Sequence, residues 1–523
     1  MSDQFDYIVV GAGSAGCVVA NRLSADPSVR VLLLEAGPEP RSPWIKIPGA
    51  VAKLFLPGPH NWGNSTEPEP HLRDRRIYWA RGRGLGGGSS INGMIYMRGH
   101  PLDYEHWRQL GNPGWGWDDV LPLFERLLRR NGGELGLSDP ATRYEFSELF
   151  IEAARQQGFA DRRDFNSGEQ EGVGYLQFTI DKGLRCSSYE AFLAPVRHRP
   201  NLTVVADALV ERIDIVDRLA RGITYRRKGE RRSATAGREV ILSGGAISSP
   251  HLLMLSGVGP GAHLREFGID VVHDLPGVGR NLHDHGYASL IYGAPARYSM
   301  NHRAQGANLL LEAARYAVTR KGILAMGPSQ VGLYARVLDG VDQPDIQLTI
   351  RPFSFDVGPK GIVMSKTPTV TVSACLLRPE SRGALTLRTA DPADAPAMRA
   401  NYFESAKDRA TMLGGVRLAE RIMAAPPLKG FTPIAPMAKD DGTAIDQLRN
   451  FVGAVMHPVG SCRMGADAGA VVDPRLRVRG IAGLRVADAS IMPAIVSANT
   501  NAPSIMIGEK AAEMILQDQR TVT

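Results

Sequence analysis

Gly11, Gly13 and Gly16, in the run Gly11-Ala12-Gly13-Ser14-Ala15-Gly16, are spaced to bring backbone against a phosphate. Glycines at this spacing turn the chain tightly and let it approach a pyrophosphate, whose charge the N-terminus of a following helix stabilises. Glu35 follows about 20 residues after the last glycine, where a carboxylate accepts from a ribose hydroxyl. A second cluster, residues 82–88, holds five glycines in seven positions. It offers N–H groups to a flat or anionic ligand, although a flexible loop fits that composition equally well. Near the other end stands His457, in His457-Pro458-Val459-Gly460-Ser461-Cys462. An imidazole titrates near neutrality and can take a proton from a hydroxyl. By spacing alone, a histidine before a proline is more often structural, so the residues by themselves leave His457 open.

The elements that must hold these groups follow from apolar patterning. Residues 5–10 and 31–34 are short apolar runs that read as buried parallel strands, with a helix starting at residue 15 between them. Residues 101–130 and 140–160 carry helical spacing, with Asp118 as a cap in the first of these. Short strands at 202–205, 240–242 and 271–272 precede a helix over 300–325. Residues 345–350, 369–375 and 383–387 read as a separate antiparallel sheet, and residues 407–424 as an amphipathic helix. A strand at 484–488 and a helix at 504–516 return to the pattern of the N-terminal end. The 523 residues suit two or three structural units. The alternation of strands and helices at both ends, around an antiparallel sheet, predicts an α/β nucleotide domain interrupted by an inserted domain.

Composition excludes several functions. The net charge of +7 is mild and dispersed. The densest basic run, residues 226–232, reads as an exposed hairpin tip, so no nucleic-acid face is expected. Cys17, Cys186, Cys375 and Cys462 are scattered without a Cys-x-x-Cys pair, which argues against a zinc site or disulfide framework. No apolar run reaches 18 residues, and a strand at residue 5 leaves no room for a signal peptide, so a cytoplasmic location is expected.

The whole segment Arg81-Gly-Arg-Gly-Leu-Gly-Gly-Gly-Ser-Ser-Ile-Asn-Gly-Met-Ile-Tyr-Met-Arg-Gly99 resembles the first signature of the glucose–methanol–choline family of FAD oxidoreductases. Residues 244–260 resemble the second signature, and residues 457–465, 486–493 and 498–503 the C-terminal motif. The likeness spans essentially the whole chain. It implies a Rossmann-like FAD-binding domain over residues 1–158, 184–293 and 447–523. The substrate domain, an antiparallel sheet with helices, would take residues 159–183 and 294–446. It also implies that Gly11, Gly13, Ser14, Ala15 and Gly16 face the pyrophosphate and that Glu35 and Ala36 meet the adenosine ribose. Leu85, Gly86, Gly87, Ser90, Asn92, Gly93, Met94 and Ile95 would lie along the isoalloxazine. Asp488 and Ala489 would close over the phosphates, with Val210, Ala502 and Pro503 as further cofactor contacts. Some relatives attach FAD through a histidine at the position of Ile91; isoleucine has no nucleophile, so dissociable FAD is expected.

The resemblance makes His457 and Asn501 the catalytic pair for oxidising a primary alcohol to an aldehyde by hydride transfer to flavin N5. Asparagine takes no proton at neutral pH, so His457 is the base and Asn501 orients the oxygen. His283 and His285, with the i, i+2 spacing of metal ligands, match a family segment that holds no metal and are read as packing, as is His251. The substrate pocket is assigned to Gln330, Tyr334, Thr349, Phe353, Phe355 and Met456. Gln330 stands where choline oxidases place a carboxylate, which favours a neutral aromatic, furanic or aliphatic alcohol over choline. Dioxygen or a quinone-type or artificial acceptor would reoxidise the flavin. A choline/betaine-aldehyde-type dehydrogenase and a non-redox FAD-containing hydroxynitrile lyase of the same fold are the competing readings. The sequence does not decide between monomer and dimer.

Overall fold

The computed structural model describes residues 3–358 and 361–522. Its first sheet is built on the two apolar runs at the N-terminus. Asp3–Val10 pairs in parallel with Val31–Leu34 on one side and with Glu230–Leu242 on the other. Leu202–Val205 extends the sheet beyond Val31–Leu34, and Leu484–Val486 joins Glu230–Leu242, both in parallel. The stretches Tyr7–Val10, Val31–Leu34 and Val240–Leu242 are continuously apolar because both faces are covered there, and Ile8, Val9, Val31 and Leu33 are fully buried. The helices Ser14–Leu23 and Asn501–Val522, from opposite ends of the chain, pack together so closely that a Cβ on Gly508 would stand 2.6 Å from the Ala15 carbonyl oxygen.

The hairpin Leu219–Arg227 and Glu230–Leu242 carries the basic run at its tip, where Arg226 and Arg231 both pair with Glu211. All four cysteines are buried and unpaired, and Cys17 Sγ–H donates to the Ala12 carbonyl at 3.2 Å, inside the first glycine turn.

The second sheet is antiparallel, in the order Thr432–Pro433, Gly286–Gly293, Thr369–Leu376, Ile346–Arg351, Val331–Ala335, Gly172–Tyr175. Gly453–Ala454 also pairs with Gly286–Gly293. One face, with Ile346, Ile350, Val372 and Ala374, is sealed by the helix Ala406–Met423; Gly415 lies against Ile346 and Ala374 with no room for a Cβ. The other face is polar: register places Tyr287, Cys375, Gln347 and Tyr334 in one row and Ser289, Ser373, Thr349 and Gly332 in the next.

Several expectations shift. Gly286–Gly293 falls within the segment 184–293 expected in the cofactor domain, yet it is an interior strand of the second sheet. Gly453–Ala454, expected in the segment 447–523, pairs there too. We therefore propose that the crossover comes at about residue 285, where the chain leaves one sheet for the other. Gly383–Thr386 does not join the second sheet; it pairs with Arg280–Leu282 and Ala397–Arg399 in a small sheet of its own. Residues 271–272 form no strand; His273–Asp274 does. Asp118 is inside the helix Trp117–Leu127, where Asp119 caps by accepting from the Gly116 N–H at 2.9 Å.

Candidate active site

The turn after Asp3–Val10 opens a cavity of about 310 Å3, lined in part by Gly11, Gly13, Ser14, Ala15, Glu35, Ala36, Gly87, Val210, Asp488 and Ala489. The two glycine clusters close on each other. Gly86 N–H donates to the Ala12 carbonyl at 2.8 Å, and a Cβ on Gly87 (φ +50°) would stand 2.7 Å from Gly13 Cα. Gly16 is not part of the lining; a Cβ there would collide with the Gly11 carbonyl, so this glycine serves helix–strand packing. Gly13 and Gly88 differ. A Cβ on Gly13 would meet nothing closer than 3.8 Å, and one on Gly88 nothing within 4 Å. These bare backbone faces turned to a cavity fit a dinucleotide.

Carboxylates organise the rim. Glu35 Oε2 accepts from Ala12 N–H (3.0 Å), and Oε1 accepts from Gly37 and Gly84 N–H (both 2.9 Å), which ties three loops together. Burial pushes the Glu35 pKa up against these donors. Asp488 Oδ2 accepts from Gly245 N–H (2.8 Å) and Ser249 Oγ–H (2.6 Å), joining the second signature to the C-terminal motif.

Leu85, Gly86, Ser90, Asn92, Gly93, Met94 and Ile95 do not line this cavity; they form the seam toward the second sheet. Ser90 Oγ–H donates to the Leu85 carbonyl (3.0 Å), and Asn92 Oδ1 accepts from Arg185 Nη1 (2.8 Å). A Cβ on Gly93 would press on Pro328, Met94 O accepts from Thr179 N–H at 2.8 Å, and Ile95 pairs with Phe178. Ala502 and Pro503 are buried in the first turn of Asn501–Val522, and Ser504 lines the cavity instead. Residues of the 244–255 stretch, His251 among them, and Trp62, Asn64 and Arg81 also line it; none of these was expected to contact the cofactor. The glycine start of the second signature was the available signal.

His457 sits at the meeting of the two sheets, and its partners fix its proton. His285 Nε2 lies 3.1 Å from the Leu377 carbonyl, which only accepts, so that nitrogen carries the hydrogen. Burial pushes the His285 pKa down to about 4, which keeps the ring neutral and its Nδ1 an acceptor. His457 Nδ1, 3.1 Å from His285 Nδ1, must then donate. The proton is therefore on Nδ1 of His457, and Nε2 presents a lone pair. Burial, with His285 and Arg81 nearby, holds the His457 pKa well below the ordinary histidine value.

The backbone at His457 is held as firmly as the ring. Asp284 Oδ1 accepts from His457 N–H at 2.7 Å, while Asp284 Oδ2 accepts from Tyr402 O–H at 2.5 Å. Met456 has φ +69°, the left-handed region, and its carbonyl accepts from Arg81 Nη1 at 2.7 Å. His283 uses both ring nitrogens structurally: Nδ1–H donates to the Asn281 carbonyl (2.6 Å), and Nε2 accepts from Ile495 N–H (3.0 Å).

The partner of His457 Nε2 is Asn499, whose Nδ2 donates to it at 3.2 Å. This corrects the expected pair. Asn501 is the first residue of the last helix, and its Oδ1 accepts from Ser14 Oγ–H at 2.7 Å, on the cofactor side. Asn499 precedes that helix by two residues, and its buried Oδ1 has no hydrogen-bond partner. An orphaned acceptor beside an imidazole lone pair whose partner is a single long amide contact forms a place for a hydroxyl.

The six pocket residues divide. Gln330 and Tyr334 are 1% and 0% exposed, so neither reaches a substrate. Gln330 Nε2 donates to the Thr142 carbonyl at 2.6 Å; Tyr334 accepts from Gln347 Nε2 at 2.6 Å and packs on Phe165. That end of the polar face is covered by the side chains of Phe165 and Leu176. Thr349, Phe353, Phe355 and Met456 keep accessible surface.

A parallel dinucleotide-type sheet is thus joined to an antiparallel sheet across a part-buried neutral histidine, the arrangement of a nucleotide-dependent oxidoreductase. The chain belongs to the GMC oxidoreductase family, whose N- and C-terminal models match residues 5–287 and 379–508. Members of this family are FAD-dependent and act on CH–OH groups. An alcohol dehydrogenase [acceptor] of Pseudomonas putida is 41% identical over 98% of this chain and 96% of its own. An oxygen-dependent choline dehydrogenase of Rhizobium johnstonii is 40% identical over 99% and 96%. Among solved structures, the pyridoxine 4-oxidase of Mesorbium loti superposes with a TM-score of 0.89, at 30% identity, over 98% of this chain and 99% of that one.

Proposed function

We propose that this chain oxidises a primary alcohol to an aldehyde, with His457 as the base and Asn499 as the group that orients the oxygen. The observation that carries the reading is the lone pair on His457 Nε2, set beside the Asn499 amide at 3.2 Å. The substrate hydroxyl enters between the two and donates its proton to Nε2, while Asn499 Nδ2 donates to the oxygen as negative charge develops there. FAD, when bound, supplies the acceptor for the hydrogen and electron pair that leave the carbinol carbon. Gly13 and Gly88 would take its pyrophosphate against bare backbone, and Ser14 and Ala15 begin the helix whose N-terminus favours that charge. His285 holds the base in its productive tautomer, and Asp284 and Arg81 hold its backbone.

The polar face of the second sheet carries hydroxyls, a thiol, an amide and a guanidinium, but no carboxylate. This chemistry disfavours choline, whose cationic head wants an anion or an aromatic cage. The test is anaerobic mixing of the holoenzyme with benzyl alcohol, 5-hydroxymethylfurfural, 1-hexanol and choline, followed by peroxide and dye-reduction assays in air. Bleaching of the flavin by one of the first three, faster than by choline, is expected. Faster bleaching by choline, or no bleaching by any alcohol with cyanohydrin cleavage instead, overturns the reading.

FAD is held without a covalent bond in this proposal, because Ile91 offers no nucleophile. Acid precipitation of the yellow holoenzyme is expected to leave the flavin in the supernatant. Flavin that remains with the pellet would locate an attachment elsewhere.

A further inference from the structure

We propose that Arg351, on the polar face of the antiparallel sheet, binds a carboxylate of the substrate, so that the alcohol oxidised here carries an anionic group at the end remote from its hydroxyl. The inference rests on the alcohol-oxidation reading and narrows its substrate class.

Arg351 ends the strand Ile346–Arg351 and lies on the polar face. Its Nη2 donates to Ser373 Oγ at 2.8 Å and to Ser289 Oγ at 3.1 Å, and these two hydroxyls are 2.8 Å from each other. Among the described residues, no carboxylate pairs with it. Arg485 and Arg98, both buried, are paired with carboxylates: Arg485 with Glu239 and Asp518, and Arg98 with Glu125. Arg351 has two neutral hydroxyls, and a guanidinium has five N–H donors and stays charged. A buried charge without an opposite charge is costly, and one that an incoming anion neutralises is a recognition device.

The surroundings fit this role. Arg351, Ser289, Thr349, Phe353 and Phe355 retain accessible surface, whereas Ile350 and Val372 on the opposite face are fully buried. The guanidinium lies over the Phe355 ring at 5.7 Å, with Phe353 adjacent at 6.3 Å between ring centres, so an aromatic wall accompanies the charge. The side chain also points toward the chemistry. The Arg351 backbone pairs with Thr371, but its guanidinium reaches back to Ser373 and to Ser289 on the next strand. That is the direction of His285, the ring that holds His457. Ser289 and His285 are four residues apart, about 13 Å along a strand. A hydroxymethyl-aryl carboxylate or a medium-chain ω-hydroxy acid carries its anionic group and its hydroxyl at opposite ends, the arrangement that this direction from Arg351 toward the histidines calls for.

The experiment compares 4-(hydroxymethyl)benzoate with its uncharged counterpart 4-methylbenzyl alcohol, on holoenzyme of wild type, Arg351→Gln and Arg351→Lys. Wild type is expected to prefer the carboxylate by at least about 10-fold in kcat/KM. Arg351→Gln is expected to raise KM for the carboxylate roughly 10²-fold, to leave kcat for 4-methylbenzyl alcohol within a few-fold, and to be partly rescued by Arg351→Lys. Binding of the unreactive 4-methylbenzoate, followed by calorimetry, should be lost in Arg351→Gln in step. A wild-type preference for the neutral alcohol overturns the proposal. So does an equal loss on both substrates, which marks Arg351 as a brace for the two serines. If neither alcohol reduces the flavin, the alcohol-oxidation reading fails by itself. In that case 4-methylbenzoate binding still decides: dependence on Arg351 supports the anion site, and independence refutes it.

Discussion

His457→Ala is expected to slow reduction of the flavin by the best alcohol roughly 10²–10⁴-fold while FAD stays bound. The imidazole is the one group at the site placed to take the hydroxyl proton, because His285 donates to Leu377 and His283 has both nitrogens engaged. The cavity lined by Gly11 to Ala15 is built from other residues, so cofactor retention should not follow the histidine. The pH profile of the wild type provides a second check. Burial depresses the His457 pKa, so the neutral base persists as pH falls through the ordinary histidine range, and the rate should drop only below it. Stopped-flow reduction across pH measures both effects. A His457→Ala enzyme that reduces at near the wild-type rate, or a wild-type rate that halves near pH 6.5, would remove His457 as the base.

Asn499→Ala is expected to cost roughly 10²–10³-fold in the same step, the worth of a desolvated donor to a developing alkoxide. Asn501→Ala is expected to leave the rate within a few-fold and instead to weaken FAD retention, since its amide oxygen holds Ser14 at 2.7 Å on the cofactor side. The two asparagines are two residues apart, so the pair of variants separates a contact to the base from a contact to the cofactor helix. Reversal of the pattern would restore Asn501 as the partner of the histidine.

That pair also marks how far the sequence is legible. The glycine spacing and the apolar runs around it predict strand, turn, helix and strand, because local sterics and continuous burial leave few alternatives. The carboxylate Glu35 lines the glycine cavity and accepts from three backbone N–H groups, which the sequence does not reveal. The choice between Asn499 and Asn501 depends on where a helix begins, and a shift of two residues turns the side chain toward a different neighbour. Gln330 and Tyr334 failed as pocket residues for a related reason. A strand's alternation tells which residues share a face, but not which end of that face is covered by a distant segment. His285, read as packing, sets the tautomer of His457. Only the fold brings Leu377, His285 and His457 into line.

The burial of Cys17 has a further consequence, for chemical reactivity. Desolvation raises the pKa of its thiol far above the usual range, and its hydrogen is committed to the Ala12 carbonyl inside the first glycine turn. Attack by peroxide or an alkylating reagent proceeds through the thiolate, so this sulfur is inert while the turn is closed. A label that reaches Cys17 therefore clocks opening of the dinucleotide turn itself. Its slowing on addition of cofactor would convert directly into a local opening free energy.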